Sequence, residues 1–132
     1  MSRTLAIAAS LWLAAVVSTA AVPAQTGWVA PDAEKAQKSP LPADQRYVEQ
    51  GEKLAKLSCA PCHGQLGKGD GAAAIALALK PADWTSAPVQ RESDGELFWK
   101  ISTGRGPMPA WRHIPENERW ALIQYIRSLK GK

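Results

Sequence analysis

Both cysteines of the 132-residue chain lie in one short run, CAPCH, which contains Cys59, Cys62 and His63. The chain has only one other histidine, His113. Two thiols and an imidazole this close together allow several kinds of chemistry. A disulfide is the simplest in an exported protein, and a redox-active dithiol uses the same spacing of two intervening residues. A structural zinc site needs four ligands, so it would have to recruit His113 or a carboxylate.

Covalent attachment of haem uses every residue of this run. Cys59 and Cys62 add to the two vinyl groups of the porphyrin, and the two residues between them let a tight turn span the pair. His63 follows directly and becomes the proximal ligand of the iron. A dithiol of the thioredoxin kind belongs to a fold with βαβ units, which this sequence does not show. We therefore predict one covalently bound haem c, with a disulfide or dithiol as the remaining alternative.

The segments that must position this run have helical patterns, so we predict an all-α fold. Asp44 is suited to cap a helix whose apolar residues share one face, and that helix runs directly into Cys59. The run GAAAIALAL at 71–79 predicts a short buried helix that ends at Pro81. No alternating strand pattern competes with these helices.

Two further helices are predicted nearer the C-terminus. Ser93 and Glu96 match a capping box, and the helix that they begin is expected to end at Gly104. The last helix begins near Pro115, a residue favoured in the first turn. The remaining segments are loops rich in glycine and proline, at 64–71, 81–92 and 104–114. A domain with so much loop needs a central organising group, and a haem would serve.

The N-terminal part of the chain differs from the rest. Residues 1–24 have one positive charge followed by an apolar stretch and small residues, which predicts a cleaved signal peptide and export, for example to the periplasm. An uncleaved membrane anchor is the alternative. Residues 25–43 contain several prolines and are expected to form a flexible arm, whose Trp28 is a candidate for docking on the body or on a partner. Residues 44–132 form one compact domain.

The charge of the chain excludes one class of partner. There are 16 lysines and arginines against 12 acidic residues, a formal net charge of +4, and no run of five or six like charges. Without a basic stripe or a recognised binding motif, we expect no nucleic-acid partner. After cleavage of the signal peptide we also expect no stable insertion in a membrane, because no further long apolar stretch follows.

Three runs together resemble class I monohaem c-type cytochromes: GEKLAKLSCAPCHGQLGKGDG, SDGELFWKISTGRGPMPAW and ENERWALIQYIRSL. The resemblance implies a cytochrome c fold, with about four helices around one covalent haem. It also implies that Gly51, eight residues before the first cysteine, lets the first helix cross the last one closely, near Leu122 and Tyr125. Ala55 stands where the family has an aromatic residue.

The resemblance further implies a second axial ligand of the iron. Met108 lies between two prolines that restrict the loop backbone, and it matches the methionine of the family's distal loop; His113 is the rival ligand. Pro81 is similar to the family's proline whose carbonyl accepts a hydrogen bond from the proximal histidine. The predicted haem-binding residues are Cys59, Cys62, His63, Pro81 and Met108, and the iron ligands among them are His63 and Met108.

The function implied is transfer of one electron at a time between redox partner proteins, without catalytic residues of an enzyme. Two alternatives remain open. One is a dedicated cytochrome subunit of a dehydrogenase complex, docked through the arm at 25–43. The other is a haem enzyme such as a peroxidase, which would need an open iron site; the chain lacks the second CxxCH run of the two-haem peroxidases.

Overall fold

The structure, a computed structural model, describes residues 27–132, and the predicted signal peptide lies outside them. Its α-helices are α1 Asp32–Lys35, α2 Gln45–Leu54, α3 Ala60–His63, α4 Ala87–Arg91, α5 Asp94–Thr103 and α6 Glu116–Ser128. A π-helical turn, Ala55–Cys59, joins α2 to α3, and a 3-10 turn spans Ala72–Ala76. Over the described residues no β-strand forms, and the all-α prediction is confirmed. In the same part of the chain, no helix is long and apolar enough to cross a bilayer.

Helices α2 and α6 cross at Gly51, as expected. A Cβ atom on this buried glycine would lie 2.1 Å from the carbonyl oxygen of Ala121 and 2.9 Å from the Cα of Leu122. Real Cβ atoms do not approach backbone this closely, so the crossing requires a residue without a side chain. The crossing brings the end of α2, and therefore the CAPCH run, to a fixed position relative to α6.

Helices α5 and α6 form the core against which the rest of the chain packs. The rings of Phe98 and Trp120 stack with centroids 4.1 Å apart. The buried guanidinium of Arg119 lies 4.5 Å from the Phe98 ring and donates to the Ser102 hydroxyl and the Ile114 carbonyl. Desolvation lowers the pKa of this guanidinium below its usual value. These contacts hold both ends of the loop between α5 and α6.

Most predicted helix ends agree with the structure. The carboxylate of Asp44 caps α2 by accepting from the backbone N–H of Arg46 at 2.8 Å, and α6 begins directly after Pro115. The Ser93 hydroxyl caps α5 by accepting from the Glu96 N–H at 3.1 Å. The carboxylate of Glu96 pairs with Lys100 instead of completing the capping box, because the two lie one turn apart on α5.

The prediction of a buried helix at 71–79 is wrong. Only the five residues Ala72–Ala76 are helical, with 3-10 geometry, and among them only Ala74 is buried. The Ile75 side chain is 86% exposed and that of Leu79 is 39% exposed. The apolar composition indicated burial, but the turn packs against α3 on one side only and leaves the Ile75 side chain uncovered by any other described segment.

Residues 28–43, here called the N-terminal strap, have contacts that their composition did not predict. The strap contains α1 and runs along α5. The Ser93 hydroxyl donates to the Lys35 carbonyl at 2.8 Å, and a Cβ on Gly95 would lie 2.1 Å from the Glu34 carbonyl oxygen. The first turn of α5 therefore carries both its own cap and the docking point of the strap.

Candidate haem site

The CAPCH run occupies the end of one long continuous helical segment. Ala55 and Ala60, at the two junctions of the π-helical turn, keep right-handed helical backbone angles, so α2, the turn and α3 follow one another without a break. Single π-helical turns within α-helices are frequent at functional sites, because the extra residue re-aims the side chains that follow. The segment ends at Gly64, whose φ of +80° reverses the chain directly after His63.

The two cysteines are free thiols that lie half-buried in this segment. Burial raises the pKa of Cys59 to about 11, and the neighbouring Cys62 adds to the rise. A redox dithiol of the thioredoxin kind needs the opposite shift, since the thiolate is its nucleophile. A zinc site is also not assembled here: the described residues hold no group of three His, Cys, Asp or Glu side chains suited to a metal ion.

His63 is oriented by a backbone carbonyl and by an aromatic ring. Its Nδ1 lies 3.1 Å from the carbonyl oxygen of Ala82, which can only accept, so Nδ1 carries the proton and Nε2 keeps its lone pair. The imidazole stacks on Trp84 with centroids 4.5 Å apart. Burial lowers the pKa of His63, and the Ala82 hydrogen bond partly opposes this. A neutral imidazole with a free Nε2 is the form that binds a metal ion.

The carbonyl that contacts His63 is not the one predicted. We expected the carbonyl of Pro81, and the structure has that of Ala82, one residue later. The Pro81 carbonyl instead faces Gly69, where a Cβ would lie 2.5 Å from its oxygen. The loop after CAPCH therefore approaches the Pro81 carbonyl closely, and the next carbonyl, that of Ala82, contacts the histidine.

Met108 lies on the loop between α5 and α6, half-buried against the hydrophobic core. Its backbone forms two hydrogen bonds with that of Arg105. The Arg105 N–H donates to the Met108 carbonyl at 2.9 Å, and the Met108 N–H donates to the Arg105 carbonyl at 3.0 Å. Gly104, with φ of +65°, makes the turn that allows this pairing. His113, the rival ligand, is exposed and lies beside Trp111 with ring centroids 5.5 Å apart. Of the two candidate ligands, Met108 is the one that packs on the interior.

The residues present fit a haem. Cys59 and Cys62 have the thiols for two thioether bonds, and His63 has the free nitrogen. Leu57, beside Cys59, is 82% exposed, and further exposed apolar side chains follow the run at Leu66, Ile75 and Leu79. The Nη1 of Arg105 is buried without a hydrogen-bond partner among the described residues. A porphyrin offers an apolar face for the leucines and carboxylate groups for an unpartnered guanidinium N–H.

Two residues of this site were not predicted from the sequence. Nothing in the sequence pointed to Ala82, because every residue has a backbone carbonyl. Which carbonyl of a loop faces the histidine depends on the folded path of the chain. Arg105 did have a signal: it is a charge placed between two glycines, three residues before the methionine that was predicted as a ligand.

Comparisons with known proteins agree with this site. The sequence model of the family described as cytochrome c oxidase, cbb3-type, subunit III matches residues 46–126. No curated protein matches the sequence. Among solved structures, the chain is similar to one from the Kuenenia stuttgartiensis reducing HAO-like protein complex Kustc0457/Kustc0458, with 32% identity and a TM-score of 0.62. That match covers 69% of this chain but only 47% of the other, so the chain spans about half the length of that relative.

A second solved structure, the KustC0563 c-type cytochrome, has 25% identity and a TM-score of 0.52, and the match covers 61% of this chain and 96% of that one. The family match includes both the CAPCH run and the Met108 loop. Its members act in haem-based electron transfer, and the residues at the site fit that cofactor. The chain therefore belongs to the family of cytochrome c oxidase, cbb3-type, subunit III, and it is a c-type cytochrome that binds haem c covalently.

Proposed function

We propose that this cytochrome is a one-electron carrier whose iron is ligated by His63 and Met108. The observation that carries the proposal is the state of His63: Ala82 holds its Nδ1, and Nε2 is left to bind the iron. Cys59 ends the π-helical turn, and Cys62 lies in α3 next to His63, so their thiols would hold the porphyrin through two thioether bonds. When bound, the haem supplies an iron that accepts and returns one electron.

Each half of the proposed ligand set has its own support. The Ala82 carbonyl raises the donor strength of the imidazole and fixes its orientation. Met108 would supply a soft thioether, which stabilises reduced iron relative to a second imidazole and so raises the reduction potential. The imidazole of His63 is held by the Ala82 carbonyl, and the backbone of Met108 is held by its pairing with Arg105, which suits ligands that stay in place when the oxidation state changes.

The test replaces each candidate ligand in the intact holoprotein. Met108→Ala should keep the haem attached, lower the reduction potential, and let ferrous protein bind carbon monoxide. It should also abolish the weak long-wavelength absorption of ferric iron with a thioether ligand. His113→Ala is the matched control from the same loop and should change none of these. The reverse pattern would assign the ligand to His113.

The role as a carrier needs a separate measurement. Stopped-flow reduction and reoxidation of the purified protein should be rapid, with negligible turnover of peroxide. Sustained peroxide consumption together with tight binding of carbon monoxide by the unaltered protein would establish a haem enzyme instead. A carrier also leaves its partner after each transfer, which suits an interface below about 1,200 Å² in total.

A second candidate is a cytochrome subunit of a stable complex. It is favoured by one observation, that the relative with 32% identity is part of a protein complex. A permanent interface would bury about 2,000 Å² or more, and the protein would then co-purify with its partner at fixed stoichiometry. Purification of the native protein as a lone monomer would favour the carrier.

We also propose that the protein is exported and that residues 1–24 are its signal peptide. The proposal rests on the single positive charge and the apolar stretch in the sequence, and it fits a haem c with a CAPCH attachment run. The intact mass of the purified protein tests it. A mature chain that starts at Gln25 and carries the mass of one haem is the expected result, and a retained Met1 would contradict cleavage.

A further inference from the structure

The N-terminal strap lies outside the matched family segment, yet it reaches the loop that carries Met108. The strap, residues 28–43, precedes the match at 46–126. It is fixed along α5 by the hydrogen bond from Ser93 to Lys35 and by the close approach of Gly95. Ala30, near its far end, is buried. The strap is therefore anchored on both sides of α1, and its first residue, Trp28, has a defined position.

Trp28 packs against two cations at that end of the strap. The Lys100 ammonium lies 5.5 Å from the ring centroid, and the Arg105 guanidinium carbon lies 5.8 Å from it. The charge of Lys100 is already compensated, because its Nζ pairs with Glu92 at 2.6 Å and with Glu96 at 3.3 Å. Of the two cations, Arg105 is therefore the one whose position depends more on the Trp28 ring.

Arg105 depends on this ring more than Lys100 does. Its Nη1 is buried and has no hydrogen-bond partner among residues 27–132, and a porphyrin carboxylate would be its polar partner when haem is bound. Within the protein, the electron-rich face of Trp28 is what holds the guanidinium. A contact of this kind changes an equilibrium constant by about two- to thirtyfold. Loss of the ring would favour movement of the guanidinium into solvent.

Movement of Arg105 is transmitted directly to Met108. The two residues share a pair of backbone hydrogen bonds at 2.9 and 3.0 Å. The residues between them, Gly106 and Pro107, are exposed, and a Cβ on Gly106 would meet nothing within 4 Å. The position of Met108 is thus set by its packing on the hydrophobic core and by its backbone pairing with Arg105.

We propose that Trp28 is a positioning residue for Met108, acting through Arg105. The strap would hold Met108 where it can ligate the iron, although the strap precedes the segment that matches the family. This inference rests on the proposed ligation by Met108. If Trp28 has this role, the strap controls how often the iron site opens and therefore how readily small ligands reach the iron.

The experiment measures binding of carbon monoxide to the ferrous holoprotein. Trp28→Ala should raise the affinity about tenfold, because the affinity is proportional to the fraction of open loop. Trp28→Phe keeps an aromatic face and should restore most of the parent value. Val29→Ala, an exposed neighbour on the same strap, is the matched control and should leave the affinity unchanged. Equal affinities for Trp28→Ala and the parent would overturn the inference.

Two double variants show whether the effect passes through the proposed residues. In an Arg105→Gln background, and again in a Met108→Ala background, Trp28→Ala should add no further change in affinity. Additive effects would mean that Trp28 acts by general destabilisation. Met108→Ala alone distinguishes an error in the proposed ligation from an error in the role of Trp28. If Met108→Ala fails to raise the affinity for carbon monoxide, the proposed ligation is wrong. If it raises the affinity and Trp28→Ala does not, only the role of Trp28 is wrong.

Discussion

Replacement of Gly51 by alanine should destabilise the whole protein, although alanine is the better helix former. The position lies inside α2, where it meets α6. A Cβ there would lie 2.1 Å from the oxygen and 2.6 Å from the carbonyl carbon of Ala121. Ordinary contacts begin at 3.4 Å, so the shortfall is about 1.3 Å. Because both neighbouring atoms belong to the backbone, no side-chain rotation can relieve the clash, and the helices must separate.

The size of the effect follows from two opposed terms. Overpacking of a close-packed interior costs about 1–3 kcal/mol, and a backbone clash belongs at the upper end of that range. Alanine in place of glycine returns about 1 kcal/mol through its higher helix propensity. The net loss is therefore about 2 kcal/mol in the free energy of unfolding. For a domain of this size that corresponds to a decrease of about 8–16 °C in Tm.

The assay is urea unfolding of the ferric holoprotein, followed by far-ultraviolet circular dichroism. Glu49→Ala is the control, since it changes an exposed residue of the same helix and should alter stability by less than about 0.5 kcal/mol. If Gly51→Ala is as stable as the parent or more stable, the helices do not approach as closely as described. In that case helix propensity, and not the close approach of α2 and α6, determines which residues are tolerated at position 51.

Three further predictions concern the strap and the helix caps. Ser93→Ala should lower the free energy of unfolding by about 1–2 kcal/mol, since it removes both the cap of α5 and the bond to Lys35. Gly95→Ala should displace the strap, because the new Cβ would lie 2.1 Å from the Glu34 carbonyl oxygen; limited proteolysis should then cut within 28–43. Asp44 has a pKa below its usual 3.8, owing first to its hydrogen bonds with Arg46. Its contribution to stability is thus present above pH 3.8 and lost as the pH falls through the folded-state pKa, so Asp44→Asn should weaken the pH dependence of acid unfolding.

Each of these has a result that would contradict it. An unchanged urea midpoint for Ser93→Ala would mean that water replaces both hydrogen bonds at no cost. Resistance of Gly95→Ala to protease would show that the strap is held mainly elsewhere. Identical acid titrations of the parent and Asp44→Asn would remove the carboxylate of Asp44 from the acid-sensitive groups.

Helix ends were predictable because capping involves neighbours in the sequence. Asp44 and Ser93 each accept from a backbone N–H two or three residues away, so the two caps can be read without knowledge of the fold. Gly104 ends α5 through its own backbone angle. The CAPCH run was predictable for the same reason, since five consecutive residues contain the whole attachment chemistry.

Contacts between distant parts of the sequence were not predictable in this way. The bond from Ser93 to Lys35 joins residues 58 positions apart, and the composition of the strap gives no sign of it. The run at 71–79 failed for a related reason. Its apolar residues indicated burial, but composition does not show whether protein, a cofactor or solvent faces each side chain, and Ile75 is 86% exposed.

The two sides of the haem site are held by different kinds of interaction, and this determines where the properties of the cytochrome can be tuned. The proximal side is fixed by the helical segment that ends at His63 and by the crossing at Gly51, so a change there alters the fold as well as the proposed ligand, His63. The distal side is the loop between α5 and α6, in which Met108 is held by its backbone pairing with Arg105 and by packing on the core. A contact from outside this loop, such as that of Trp28 with Arg105, can change the stability of the proposed distal ligand and leave the helices untouched. Adjustment of potential and ligand access without loss of the fold therefore belongs in the strap and the Met108 loop.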